Sequence, residues 1–204
     1  MFTGIIEAIG KVQSIHREGS NLHFSISSSI SSELKVDQSV SHNGVCLTVV
    51  ALSEGAHTVT AVEETLQRSN LGSLLEGGLI NLERAMQANA RLDGHLVQGH
   101  VDTTGICTDI ENLGGSWRFD FEYPFSQEHL LVDKGSICIN GVSLTVVKPN
   151  ENIKVGIANF SVAIIPYTYE HTNFRALSVG GSVNLEFDVI GKYVSKYLAL
   201  YAKQ

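Results

Sequence analysis

The chain has 204 residues, 43% apolar and 17% charged, with a net charge of −7 and no cluster of lysine or arginine. That balance fits one or two folded domains and argues against nucleic acid or an anionic membrane surface as partner, since both need concentrated positive charge. No apolar run reaches the ~18 residues of a spanning helix, and the opening MFTGIIEAIGKV lacks the basic start, apolar stretch and cleavage site of a signal peptide, so a cytoplasmic protein is expected. Cys46, Cys107 and Cys138 make an odd count with no CxxC pair. They form neither a disulfide framework nor a zinc knuckle, and buried reduced thiols are the plain expectation.

In chain order, Leu22, Phe24 and Ile26 alternate with polar residues, the period of a half-buried strand. An Asn43-Gly44 turn signal then opens a β-branched run over 44–50, and a further strand is expected over 57–62. Strand alternation points Cys46 away from Val45 and Leu47, to the face of His42, Gly44 and Thr48. A short helix is expected over 64–69, ended by Asn70 and Gly72. The sequence then repeats itself. The core NGVxLTVV returns at Asn140, with Ser143 in the place of Cys46. Residues 64–71 line up with 167–174, and Asn81-Leu82-Glu83 lines up with Asn184-Leu185-Glu186. Three matches in one order, at a period near 100, mean a duplicated domain rather than a solenoid. Short strands at this density suggest two small barrels or sandwiches.

The join 92–102 concentrates His95, His100, Asp93 and Asp102. If the join is extended, the odd offset between the histidines sends them to opposite faces, and no further ligand at the right spacing supports a metal, so none is expected. One histidine as a proton carrier near neutral pH and one that is merely structural are both open. No G-x-S-x-G elbow and no GxGxxG after a strand is present. The tail over 190–204 repeats Ile190, Val194, Tyr197 and Tyr201 at helical spacing, with Lys192, Lys196 and Lys203 on another face. This amphipathic helix packs either on its own barrels or against copies of itself.

The opening MFTGIIE, the paired NGVCLTV and NGVSLTV, the join GHLVQGHVD and Asn70-Leu71-Gly72 together closely resemble the riboflavin synthase family, nearly end to end. The resemblance implies an all-β fold of two homologous six-stranded Greek-key barrels in tandem, over 1–97 and 98–188, followed by a trimerisation helix over 189–204. It implies a homotrimer that transfers a four-carbon unit between two molecules of 6,7-dimethyl-8-ribityllumazine, without cofactor or metal, at a site between the first barrel of one subunit and the second barrel of a neighbour. Docking with lumazine synthase, the enzyme that makes that substrate, stays open.

Residue by residue, the resemblance places lumazine contacts at Gly4, Ile5, Ile6, Ser39, Cys46, Leu47, Thr48, Thr60, Ala61, Val62, Glu63, Glu64 and Thr65 in the first barrel. At the join it places them at Gly99, His100 and Val101. In the second barrel they fall at Lys134, Ser143, Leu144, Thr145, Ile165, Pro166, Tyr167, Thr168, Tyr169 and Glu170. Its essential cysteine, histidine, Ser-x-Thr pair and late aspartate match Cys46, His100, Ser143, Thr145 and Asp188, the last opposite Ala85 of the first copy. Tyr167 departs from the family, which often carries Glu there. Two rival readings are a lumazine- or flavin-binding antenna and a flavin-binding electron-transfer barrel. The presence of Cys46, His100, Ser143 and Thr145 in one chain argues against the first, and nothing resembling a nicotinamide domain supports the second.

Overall fold

The computed structural model of the protein describes residues 1–152 and 155–201. The first half folds as β1 (Ala8–Glu18), β2 (Asn21–Ser27), β3 (Ser39–His42), β4 (Val45–Ser53), β5 (Ala56–Ala61) and β6 (Leu79–Arg84), with α1 (Glu63–Arg68) between the last two strands. The second half repeats this as β7 (Thr103–Asn112), β8 (Trp117–Pro124), β9 (Ser136–Ile139), β10 (Val142–Asn152), β11 (Ile157–Ile164), α2 (Pro166–His171) and β12 (Ser182–Phe187). All pairings are antiparallel. Each set closes into a barrel, in the order β1-β2-β5-β4-β3-β6 and β7-β8-β11-β10-β9-β12. The jump from β2 to β3 past the β4–β5 pair makes each a Greek key.

The alternation at Leu22, Phe24 and Ile26 does place these three inward and their neighbours outward. Matched irregularities in register, at Val12/Ser14 and Val49/Ala51 in one half and at Cys107/Asp109 and Val147/Asn150 in the other, bend long strands enough to close a small barrel. Each short helix is followed by a 3-10 turn that drives one apolar side chain into the barrel end, Leu71 in the first and Phe174 in the second. Ser69 and Thr172 cap these turns, accepting from the N–H groups of Leu71 and Phe174.

The two repeated Asn-Gly turns explain more than two hairpins. Asn43 and Gly44, like Asn140 and Gly141, have positive φ at both central positions, the geometry that suits a two-residue hairpin. The turns meet back to back. A Cβ on Gly44 would lie 2.9 Å from the backbone nitrogen of Gly141, and the reverse contact has the same length. Around them three pairs of equivalent asparagines close the seam. Asn81 Nδ2 donates to the Asn140 carbonyl (2.9 Å), and Asn184 Nδ2 donates to the Asn43 carbonyl (2.8 Å). The backbone N–H of Asn173 donates to Asn81 Oδ1 (2.7 Å), and that of Asn70 to Asn184 Oδ1 (2.6 Å). A buried asparagine seeks partners at both ends of its amide, and the partners found here lie largely in the other barrel, although Asn70 Oδ1 has none among the described residues.

The tail forms α3 (Val189–Tyr201), with Lys203 outside the described residues. Of the two packings expected for it, the helix does not lay its apolar face on its own barrels. It touches them through polar groups instead. Lys192 Nζ lies 2.6 Å from Asp102, and Ser195 donates to the Gln127 carbonyl. Ile190, Val194, Tyr197, Leu198, Leu200 and Tyr201 are all more than half exposed.

Candidate functional site

The segments that lead into the two barrels cross over. Phe2 and Val97 pair as an isolated antiparallel bridge (Phe2 N–H to Val97 O 2.7 Å; Val97 N–H to Phe2 O 3.1 Å). Beyond it the N-terminal segment docks on the second barrel, where Ser143 N–H donates to the Gly4 carbonyl at 2.8 Å. The join docks on the first barrel, where Cys46 N–H donates to the Gly99 carbonyl, also at 2.8 Å. Gly99 has φ +83°, and a Cβ there would lie 2.5 Å from Cys46 Cβ, so only glycine allows the approach.

Two buried carboxylates hold these segments. Glu83 accepts from the N–H groups of Thr3 (2.6 Å) and Gly4 (3.0 Å) and from the Thr3 hydroxyl (2.7 Å). Glu186 accepts from the N–H groups of Gln98 (2.6 Å), Gly99 (2.9 Å) and His100 (2.8 Å). Burial pushes Glu186 up to about 7, against the pull of the donating N–H groups and of Lys192. It raises Glu83 as well, opposed by its bonds to Thr3 and Gly4.

The crossover builds two depressions that share no lining residue. The first, of about 360 Å³, brings together Cys46, Glu64, Thr65, Gly99, His100 and Val101. Arg68 reaches back one turn of α1 to Glu64 (3.1 Å). Cys46 is half-buried and directed out of the barrel, as strand alternation requires, while Cys107 and Cys138 are buried. The second, of about 540 Å³, contains Ile6, Tyr167 and Glu170, with His171 stacked on the Tyr167 ring at 4.1 Å.

Ser143 lies against Gly4, and its Oγ is 2.7 Å from Nδ1 of His95. His95 is buried and its pKa is lowered by that burial, with the charge of Asp188 pulling the other way. The two histidines of the join thus go to different places, His100 to Cys46 and His95 to Ser143. Asp188 is half-buried at the start of α3, where it accepts from the N–H of Ile190 (2.9 Å).

The other residues at which lumazine contacts are expected line neither depression. Leu47 and Ala61 face the first core, and Leu144 packs on the second. Thr48 and Thr145 are exposed on the outer faces of β4 and β10, Thr48 directly across the ladder from Ser39. Ser39 lines a separate groove with Glu83 and Arg84. Val62 and Glu63 begin α1, Ile5 is exposed on the N-terminal segment, and Ile165 and Pro166 begin α2. Tyr169 stacks on Trp117 at 4.0 Å, and the Thr168 carbonyl accepts from Thr172. Thr60 is bonded to His23 (2.9 Å), and Lys134 occupies a left-handed turn with its N–H on the Val146 carbonyl; neither lines either depression. Sequence reasoning left out Glu83 and Glu186 and did not choose His95. The repeated Asn-Leu-Glu was a visible signal for the carboxylates, but their partners lie about 80 residues away along the chain.

The family described as the lumazine binding domain matches residues 3–85 and again 98–188. The chain belongs to the lumazine-binding domain family. It is 39% identical over 199 residues to the riboflavin synthase of Actinobacillus pleuropneumoniae, covering 97% of this chain and 90% of that one. It is 40% identical over 203 residues to the riboflavin synthase of Mycobacterium bovis, covering 97% and 98%. Among solved structures it resembles LumP complexed with 6,7-dimethyl-8-(1'-D-ribityl) lumazine, with a TM-score of 0.79 and 21% identity over 91% of this chain and 98% of that one. At that identity the likeness establishes the fold, and the two family matches coincide with the two barrels seen here.

Proposed function

We propose that this protein converts two molecules of 6,7-dimethyl-8-ribityllumazine into one riboflavin and one 5-amino-6-ribitylaminouracil, the reaction of riboflavin synthase and a four-carbon group transfer. The observation that carries the proposal is the unequal pair of side chains at one position of the repeat, Cys46 lining the first depression and Ser143 bonded to His95 beside Gly4 in the second barrel. A dismutation needs two copies of one compound in related poses with different fates. Duplication supplies the related poses, and the Cys46/Ser143 difference supplies the asymmetry.

One substrate gives up a proton from its C7 methyl group, and a nucleophile adds to the ring of the other. Cys46 is the accessible thiol for that addition, either directly or through a water it positions. His100, exposed beside it, carries protons. Ser143, bonded to His95, and Thr145 hydrogen-bond the second ring and steady its anion. Asp188 acts on this pocket through its charge on His95. Orienting two reactants in this way is worth up to about 7–11 kcal/mol in the best cases.

The resemblance to the riboflavin synthase family implies a site shared between neighbouring copies, and two depressions with no lining residue in common are in keeping with that. The exposed apolar side of α3 is the surface suited to hold such copies in a trimer. The second reading, a holder of lumazine without turnover, draws on the likeness to LumP. One assay separates the two. Incubated with the lumazine alone, in the presence of a chelator, the protein is expected to form one riboflavin per two lumazines consumed. Binding without riboflavin formation overturns the enzymatic reading.

A further inference from the structure

The Asn-Leu-Glu motif ends each repeat, yet neither glutamate contributes to the depression of its own barrel. Glu186 belongs to the last strand of the second barrel and is 2% exposed. Its two oxygens take three consecutive backbone N–H groups, from Gln98 to His100. This short loop ends on Cys46 of the first barrel. Gly99 accepts from the Cys46 N–H, and His100 enters the depression beside it. Glu83 does the same from the first barrel, holding Thr3 and Gly4 against Ser143 of the second.

We propose that Glu186 is the positioning residue for the Cys46–His100 pocket, and that Glu83 has the corresponding role for the segment docked on Ser143, so that each segment is set on one barrel by a carboxylate of the other. The geometry requires a carboxylate. Gln98 donates to one oxygen while Gly99 and His100 share the other, so both oxygens must accept. An amide offers one acceptor and turns an N–H against at least one of the donors. The loop has little else to fix it. Among the described residues its backbone bonds are these three, the Gly99–Cys46 contact and the bridge at Val97.

The catalytic part of this inference rests on the proposed function, whereas the positioning part does not. The test therefore uses two readouts on the full chain, kcat for lumazine turnover and the rate at which Cys46 is alkylated by iodoacetamide, located by peptide mass. Glu186→Gln and Glu83→Gln are compared, because both remove a buried carboxylate from matching places. Glu186→Gln is expected to lower kcat by ~100-fold, the scale of a reacting group misplaced by about 1 Å. It is also expected to speed Cys46 alkylation, since Gly99 no longer covers the thiol. Glu83→Gln is expected to leave Cys46 alkylation at the wild-type rate. An unchanged Cys46 rate in Glu186→Gln, or an equal rise in both variants, overturns the assignment whatever happens to turnover. If Glu186→Gln does not fold, Glu186→Asp keeps the charge, shortens the reach by one methylene and is read in the same way. A wild-type protein without turnover would refute the enzymatic reading and still leave the alkylation comparison to decide this one.

Discussion

The base of the first barrel holds two histidines where the second barrel holds Ile139 and Phe160. His42 and His57 are wholly buried and linked Nε2 to Nε2 at 2.9 Å. His42 Nδ1 faces the Val40 carbonyl at 3.0 Å, so it must carry a proton, and its Nε2 must accept from His57. His57 Nδ1 then accepts from the Ser31 hydroxyl at 2.8 Å. Every proton in the chain is placed by the carbonyl at its end, and both rings are neutral. Among the described residues the second barrel has no such chain. Its core is a cluster of Phe119, Phe121, Phe160 and Phe174 with ring centroids 5.2 to 6.5 Å apart. Aromatic pairs of this kind add about 0.5–1.5 kcal/mol each beyond the area they bury. One fold thus tolerates two solutions for filling its barrel, and in the first of them acid would place charge on two wholly buried rings.

The comparison is sharpest at the pockets. Cys46→Ser gives the first barrel the side chain that the second carries at Ser143, and it is expected to cut kcat by about 100-fold or more while lumazine binding and the thermal midpoint stay close to wild type. Turnover at the wild-type rate would remove Cys46 from the mechanism. At the seam, Asn184→Ala leaves the Asn43 carbonyl and the Asn70 N–H without their partners. A loss of about 1–3 kcal/mol in urea unfolding is expected, with a similar loss for Asn81→Ala, because the two sit at equivalent places. A large difference between these two variants would break the symmetry of the seam.

The histidine pair gives the pH prediction. Burial lowers His42 from 6.5 to about 3, with His57 adding to the shift, and burial lowers His57 to about 4. Since the folded values lie below the unfolded one, the contribution to stability is complete above about pH 6.5 and is lost progressively as the pH falls toward 4 and then 3. His42→Ile with His57→Phe copies the second barrel and should flatten the thermal midpoint over that window. An unchanged slope would mean that other groups govern acid unfolding. The smallest effect is expected from Tyr167→Glu, which copies Glu64 into an exposed position. It should alter lumazine affinity by less than about tenfold, or 1.4 kcal/mol.

Much of this architecture was legible in the residues. The repeated NGVxLTVV, the inward Leu22, Phe24 and Ile26 and the outward Cys46 follow from local chemistry and from a period of two. What escaped depends on contacts between distant segments. His95 and His100 are separable by parity, but that one meets Ser143 and the other enters the depression beside Cys46 depends on the crossover at Phe2 and Val97. The buried role of His42 was hidden because alternation placed it with Cys46, whereas its ring turns to His57 on another strand. The helical spacing of Ile190, Val194, Tyr197 and Tyr201 gave a helix, but the stripe itself did not say that the polar side would face the barrel.

The crossed leaders also bear on how such a chain can change over time. After a duplication, two copies are ordinarily free to drift apart, each answering only to its own core. Here the groups that shape one pocket are encoded partly in the other copy, since Gly99 must fit Cys46 and Gly4 must fit Ser143. A substitution in either repeat is therefore tested against its twin, and the two halves of the gene are bound to a shared history even though each half closes its own barrel.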